Sequence, residues 1–175
     1  MTRLLPSVLS TLDLPRAELC AAHLDGELFR LDDCFTPVDE IDRPQHRAAA
    51  VHAGLSGRLI AEQWSAAWIW GAIDNPPTHH QLCTAVAARV GHQHPPWMTV
   101  REVVIDPQDV ARIDGYPVTT PLRTAVDLAR FSRQFSPDIV HRLGVRVSDC
   151  VTDLDRRRNL PNKRLALRRL RGDSS

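Results

Sequence analysis

Apolar residues recur along the chain in short blocks separated by proline, glycine and charge, and each block has a readable period. After Pro15, residues Ala17, Cys20 and Leu24 fall at helical spacing, and Gly26 closes the segment. The blocks LFRL and CFTPV flank Asp32 and Asp33 and predict a short hairpin. The charged, proline-broken stretch DEIDRPQHR then marks a boundary. Beyond it, residues 45–53 and 59–73 predict helices, the second with Trp64, Ala67, Trp68 and Ala72 spaced for one buried face. After the breaker NPPTHH, the blocks QLCTAVAARV, WMTVREVVI and DVARIDGYPVT predict strands, the last turning at Asp114 and Gly115. Thr120 and Pro121 then signal a helix start, and Leu122, Ala125, Val126 and Ala129 point inward from that helix. Two more helical patterns, near 137–145 and 148–158, precede an arginine-rich end. The order α, hairpin, αα, βββ, ααα implies an α+β fold.

Composition narrows the classes without changing that picture. The 175 residues are 43% apolar and 25% charged, which suits one ordinary folded domain with a small appendage. The longest apolar stretch, 66–73, is far short of a membrane span, and Pro6, Ser7, Ser10 and Asp13 interrupt the start of the chain. A cytoplasmic protein with no membrane partner is therefore expected. Cys20, Cys34, Cys83 and Cys150 form no C-x-x-C and read as buried free thiols. The basic residues comprise 21 arginines and the single Lys163.

A near-neutral total hides an uneven charge distribution. Residues 1–62 hold six basic and ten acidic groups, whereas residues 156–175 hold eight basic groups and one acidic. The reading is three parts: 1–42 as a helix-and-hairpin segment of the kind that ends a winged helix, 43–155 as an α+β body, and 156–175 as a basic tail. Arg16 and Arg30 are the bases that such a wing would turn to DNA, although Asp25, Glu27, Asp32 and Asp33 surround them. In the tail, Arg156, Arg157, Arg158, Lys163, Arg164, Arg168, Arg169 and Arg171 could hold nucleic acid, dock on an acidic partner, or be satisfied locally at helix ends. Leu165, Leu167 and Leu170 among them suggest a short amphipathic helix.

Candidate chemistry is sparse. Arg123 and Asp127 lie four apart on the predicted helix and read as a structural staple, because a guanidinium does not give up its proton. His79, His80, His92 and His94 cluster near Cys83, but at no recognised zinc spacing, so neither metal nor other cofactor is expected. No G-x-S-x-G elbow or glycine–lysine phosphate loop occurs. Glu102 and Asp106 lack the nearby lysine of restriction-type nucleases. Trp64, Trp68 and Trp70 sit among alanine and isoleucine, which places them in a core rather than against bases, and Trp97 follows Pro95 and Pro96.

The segment VTTPLRTAVDLARF (118–131), with LPRAELCAAHLDGELFRL (14–31), IAEQWSAAWIWGAI (60–73) and IDGYPVTTP (113–121), resembles a bacterial family. These segments are similar to the abortive-infection E type (AbiEi-like) antitoxins of type IV toxin–antitoxin systems, in an actinobacterial form. The resemblance implies an abbreviated winged-helix-like N-terminal part that represses its own operon, followed by a mixed α/β antitoxin domain with C-terminal helices. It implies a cognate nucleotidyltransferase-like toxin and own-promoter DNA as partners, with no small-molecule substrate and no catalysis. Within it, Thr120, Pro121, Arg123, Thr124 and Asp127 are a signature of fold. Two alternatives remain at this level: a non-enzymatic DNA-binding regulator without a toxin, and the accessory domain of a lost endonuclease.

Overall fold

The computed structural model describes residues 6–86 and 95–172, and it is an α+β fold. Helix α1 (Arg16–Leu24) leads into the antiparallel hairpin β1 (Leu28–Leu31) and β2 (Cys34–Pro37). The helix stops where Gly26 takes φ +79°, with Glu27 N–H returning to the Ala22 carbonyl. Leu9 bridges Phe35 from the other side, and Leu9, Leu19, Leu28 and Phe35 form a small separate core. Leu19 is the buried position of α1, while Leu24 is 85% exposed. The expected Ala17, Cys20, Leu24 stripe is thus displaced by one residue. Its last turn is anchored by His23, whose Nδ1 lies 2.9 Å from the Leu28 carbonyl, and this rotates Leu24 outward.

Helix α2 (Pro44–His52) takes up the proline that was expected to precede it, because its first turn has no need of that N–H. The stretch expected as one helix over 59–73 divides. Ile60–Ala61 forms strand β3, and helix α3 covers only Gln63–Ile69. Two residues suffice for β3 because both are buried between neighbours on each side, antiparallel to β4 (His80–Ala85) and parallel to β7 (Tyr116–Thr119). Helix α3 ends early because Gly71 adopts φ +77° and Ala72 N–H returns to the Ala67 carbonyl. Strands β5 (Met98–Val103) and β6 (Val110–Ile113) complete a sheet of order β5-β4-β3-β7-β6. Asp114 and Gly115, both at positive φ, make the predicted β6–β7 turn.

Helices α4 (Pro121–Phe131), α5 (Asp138–Arg142), α6 (Val147–Arg156) and α7 (Lys163–Arg171) follow. Helix α3 lies between two apolar clusters. Ala66, Trp68 and Ile69 face the sheet with Leu82 and Val118, while Ala67 joins Leu128, Val140, Leu154 and Leu170 of the helical layer. Trp64 and Trp70 are half-buried, and each indole N–H is satisfied, by Ser132 Oγ at 3.0 Å and the Thr119 carbonyl at 2.8 Å. Among the described residues no helix is long and apolar enough to cross a membrane.

The placement of α1 gives a direct test. Leu19→Ala should lower stability by about 2–4 kcal/mol in urea unfolding, whereas Leu24→Ala should change it by less than about 0.5 kcal/mol. Equal effects would contradict the observed rotation of the helix.

Candidate functional site

Helix α4 carries an unusual constraint, since every residue from 123 to 130 is buried. Its start is local chemistry: Thr120 Oγ1 accepts the Arg123 N–H and Pro121 occupies the first turn. Thr124 Oγ1 lies 2.7 Å from Thr119 Oγ1, tying the helix to the strand it leaves. Arg123, Asp127 and Arg130 are at most 4% exposed, so each needs partners within the fold.

They find them in one continuous network. Arg123 Nε donates to Asp127 at 2.8 Å and its Nη1 to Asp109 at 2.7 Å. Arg130 Nη1 donates to the other Asp127 oxygen at 2.6 Å, and its Nε to the Pro161 carbonyl at 2.9 Å. Arg157, just past α6, donates to both Asp109 oxygens at 2.9 and 2.6 Å and to Asp153 at 2.8 Å. Beside it, Arg101 of β5 forks onto Glu62 at 2.7 and 2.6 Å, and Glu62 is 1% exposed. The guanidinium carbons of Arg101 and Arg130 stand 4.3 and 4.4 Å from the ring centre of Phe131. Gln63, adjoining Glu62, is held at φ +48°, a strained conformation for that residue.

The four arginines of this region and Phe131 help wall a cleft of about 640 Å³. Strand β5 contributes Arg101 and Glu102, α4 contributes Arg123, Arg130 and Phe131, and the α6–α7 link contributes residues 157–161, with Asp106 at the rim. Burial alone would raise the Asp109 carboxyl; the bond from Arg157 and the charges of Arg123 and Arg157 outweigh it and hold the group below its ordinary value. Burial pushes the Arg130 guanidinium down, and Arg123 and Arg101 add to that against the raising effect of Asp127. Burial also opposes the charge on Arg123, yet Asp127 and Asp109 raise it overall.

The structure distributes the sequence candidates unevenly. Thr120, Pro121, Arg123, Thr124 and Asp127 come together at the start of α4 and in the network. Arg16 and Arg30 are both exposed on the N-terminal part, and Arg30 donates to Asp33 at 3.1 Å and to the Asp32 carbonyl at 2.8 Å. Of the arginine-rich end, Arg157 is in the network. Lys163 donates to the Asp155 and Arg157 carbonyls and Arg169 to those of Ala129 and Ser132, closing the ends of α6 and α4. Arg156, Arg158, Arg164, Arg168 and Arg171 are exposed and, among the described residues, take part in no ion pair.

The histidines divide similarly. His80 is buried between Ser65 Oγ (3.0 Å) and Asp32 Oδ2 (2.9 Å), and His79 lies 2.9 Å from Thr99 Oγ1. His92 and His94 lie outside the described residues. Among the described residues no three His, Cys, Asp or Glu side chains are grouped to hold a metal. Sequence reasoning missed Glu62, Arg101, Asp109 and Arg130, whose signal is spatial rather than local.

A family profile described as the AbiEi antitoxin C-terminal domain matches residues 59–166, more than half of the chain. No curated protein matches. Among solved structures, the chain is similar to the RV2827C protein from Mycobacterium tuberculosis, at 18% identity over 97% of this chain and 68% of that one, with a TM-score of 0.38.

Two predictions follow from the network. Asp127→Ala leaves Arg123 and Arg130 buried without their shared counter-charge and should cost about 3–5 kcal/mol, read by urea unfolding; Arg146→Ala, which removes an exposed pair with Asp149, should leave the midpoint in place. Because Asp109 is held low, its stabilisation is complete above the ordinary carboxylate value and is lost as pH falls through its lowered folded value. Asp109→Asn should therefore flatten the acid limb below the ordinary carboxylate range, and an unchanged limb would remove Asp109 from the account.

Proposed function

The chain belongs to the AbiEi antitoxin family through the domain matched at residues 59–166, and from that membership we propose that it is the antitoxin of a type IV pair, opposing a nucleotidyltransferase-like toxin without catalysing a reaction. The family match carries this reading. It spans β3 to α7, so it includes the sheet, the buried network and the cleft.

Chemistry supports a role through surface rather than reaction. The cleft presents guanidinium groups, which do not release a proton near neutral pH; they engage the Glu62, Asp109 and Asp127 carboxylates behind them, and Glu102 and Asp106 are the carboxylates that line it. Burial pushes the Cys34 thiol up to about 12 with help from Asp32, Asp33 and Asp13, and pushes Cys150 to about 12 and Cys83 higher still. A thiol so disfavoured as thiolate is a poor nucleophile.

For the N-terminal part, residues 1–42, the proposed role is winged-helix-like repression of its own operon from inside the cell. The supporting observation is a helix followed by a two-stranded hairpin over its own small core, with Arg16 and Arg30 exposed. Their acidic neighbours require that any such binding be read against salt.

Co-expression with the product of the adjacent gene tests the antitoxin role. The full chain should restore growth, and absence of relief from an expressed toxic partner would overturn it. Autoregulation is tested separately by titrating labelled own-promoter DNA. Arg16→Glu with Arg30→Glu should weaken promoter binding at least tenfold relative to scrambled DNA; parallel losses on both DNAs would remove the N-terminal part as a reader.

A further inference from the structure

We propose that the exposed face of α7, continued to the cleft mouth by Arg158 and Asn159, binds the phosphate backbone of a single-stranded nucleic acid. The surface stands on geometry independent of the antitoxin reading. Arg164, Arg168 and Arg171 follow one another four and three residues apart, so they share a face. Along the helix axis they are about 6 and 4.5 Å apart, comparable with neighbouring phosphates on an extended strand. Two shallow grooves of about 530 and 450 Å³ run along this face and share Arg164 and Arg168. The first also shares Asn159 and Leu160 with the cleft, which makes a continuous path.

Charge favours a polyanion. Among the described residues no carboxylate lines either groove. Among the described residues Arg158, Arg164, Arg168 and Arg171 form no ion pair, whereas Arg157, Lys163 and Arg169 of the same segment are all engaged by the fold. Like charges at such spacing disfavour the helix by a few tenths of a kcal/mol per pair, so their placement earns nothing from packing. An acidic protein partner would call for an apolar anchor within the charged rim. The apolar groups of the two grooves, Leu160, Leu165 and Leu167, are partly buried in the fold, and the large exposed hydrophobic side chains of the described residues, Leu12, Leu24, Val38, Ile41, Val86, Trp97 and Val104, all lie off α7.

The adjoining cleft favours a single strand over a duplex. Its volume is in the range that encloses one small ligand, so it can admit an unpaired terminal nucleotide but not stacked base pairs. Arg101, Arg130 and Phe131 supply flat surfaces inside. Glu102 and Asp106 at the rim would repel a phosphate; both can accept hydrogen bonds from sugar hydroxyls or base amino groups. The backbone charge is therefore carried outside, by Arg158 and the α7 row. With no aromatic side chain on α7, the strand is held with little sequence preference.

Fluorescence anisotropy with a labelled mixed-sequence single-stranded oligonucleotide, its duplex and a polyglutamate peptide tests this, using the full chain. Single strands should bind most tightly. Arg164→Glu with Arg168→Glu should weaken them at least tenfold and reduce the log K against log salt slope by about 1.4, while Arg58→Glu, exposed and remote in sequence, should leave both unchanged. Should the glutamate variant lose its helical signal, Arg164→Gln with Arg168→Gln removes the charges without adding acid. Absence of single-strand binding, equal loss in Arg58→Glu, tighter duplex binding, or equal binding of polyglutamate with the same variant response would each overturn the proposal.

Discussion

Asp127 is the point on which this architecture depends. It is fully buried at the centre of α4 and accepts from Arg123 on one oxygen and Arg130 on the other. Two guanidinia on one carboxylate leave an excess of buried positive charge, and the fold supplies the balance from a distance. Asp109 enters from the turn before β6, Arg157 follows it from the end of α6, and Asp153 completes the series. Buried ion pairs contribute little net stability against an apolar alternative but are costly to break. Their effect here is on arrangement: the β6 turn, α4, α6 and the α6–α7 link have to meet at one place.

That constraint also separates what the chain spells out locally from what only tertiary structure reveals. The Thr120 cap, Pro121, and the turn at Asp114 and Gly115 were legible because each acts within four residues. The Arg123–Asp127 staple was legible for the same reason, since helical spacing brings the two together. Asp109 lies 14 residues from Arg123 and 48 from Arg157, and nothing in periodicity points to either partner. Strand β3 was hidden by brevity. Ile60 and Ala61 run without a breaker into a helical pattern, and only the strands on both sides make them sheet. Leu24 was misplaced because helical spacing fits more than one stripe, and the hairpin contact through Leu19 and His23 selects the one that is buried.

The arginine-rich end shows why a charge run cannot be assigned as a block. Arg157, Lys163 and Arg169 point back into the domain, where Arg157 completes an ion network and the others satisfy helix carbonyls. Ala166 and Leu170 bring the same segment into the helical core beside Leu128 and Leu154. The basic residues left over are the ones facing outward, so packing itself sorts the segment into structural and available charge. From sequence, all eight bases of 156–171 carried equal weight.

The rigidity of the network bears on how such a domain could work. Behind the cleft wall, the Asp109, Asp127 and Glu62 carboxylates are each held by guanidinia. Moving any one of them would uncover a buried charge at a cost of several kcal/mol. What remains adjustable is the rim and the exposed face of α7, where side chains can exchange water for a ligand without disturbing the interior. A wall of engaged charge beside outward arginines suits recognition on the readings proposed above: the wall would set shape, and the arginines attraction and rate of encounter. On the antitoxin reading, selectivity for what is recognised then lies in the cleft, and affinity, with its sensitivity to salt, lies along the helix.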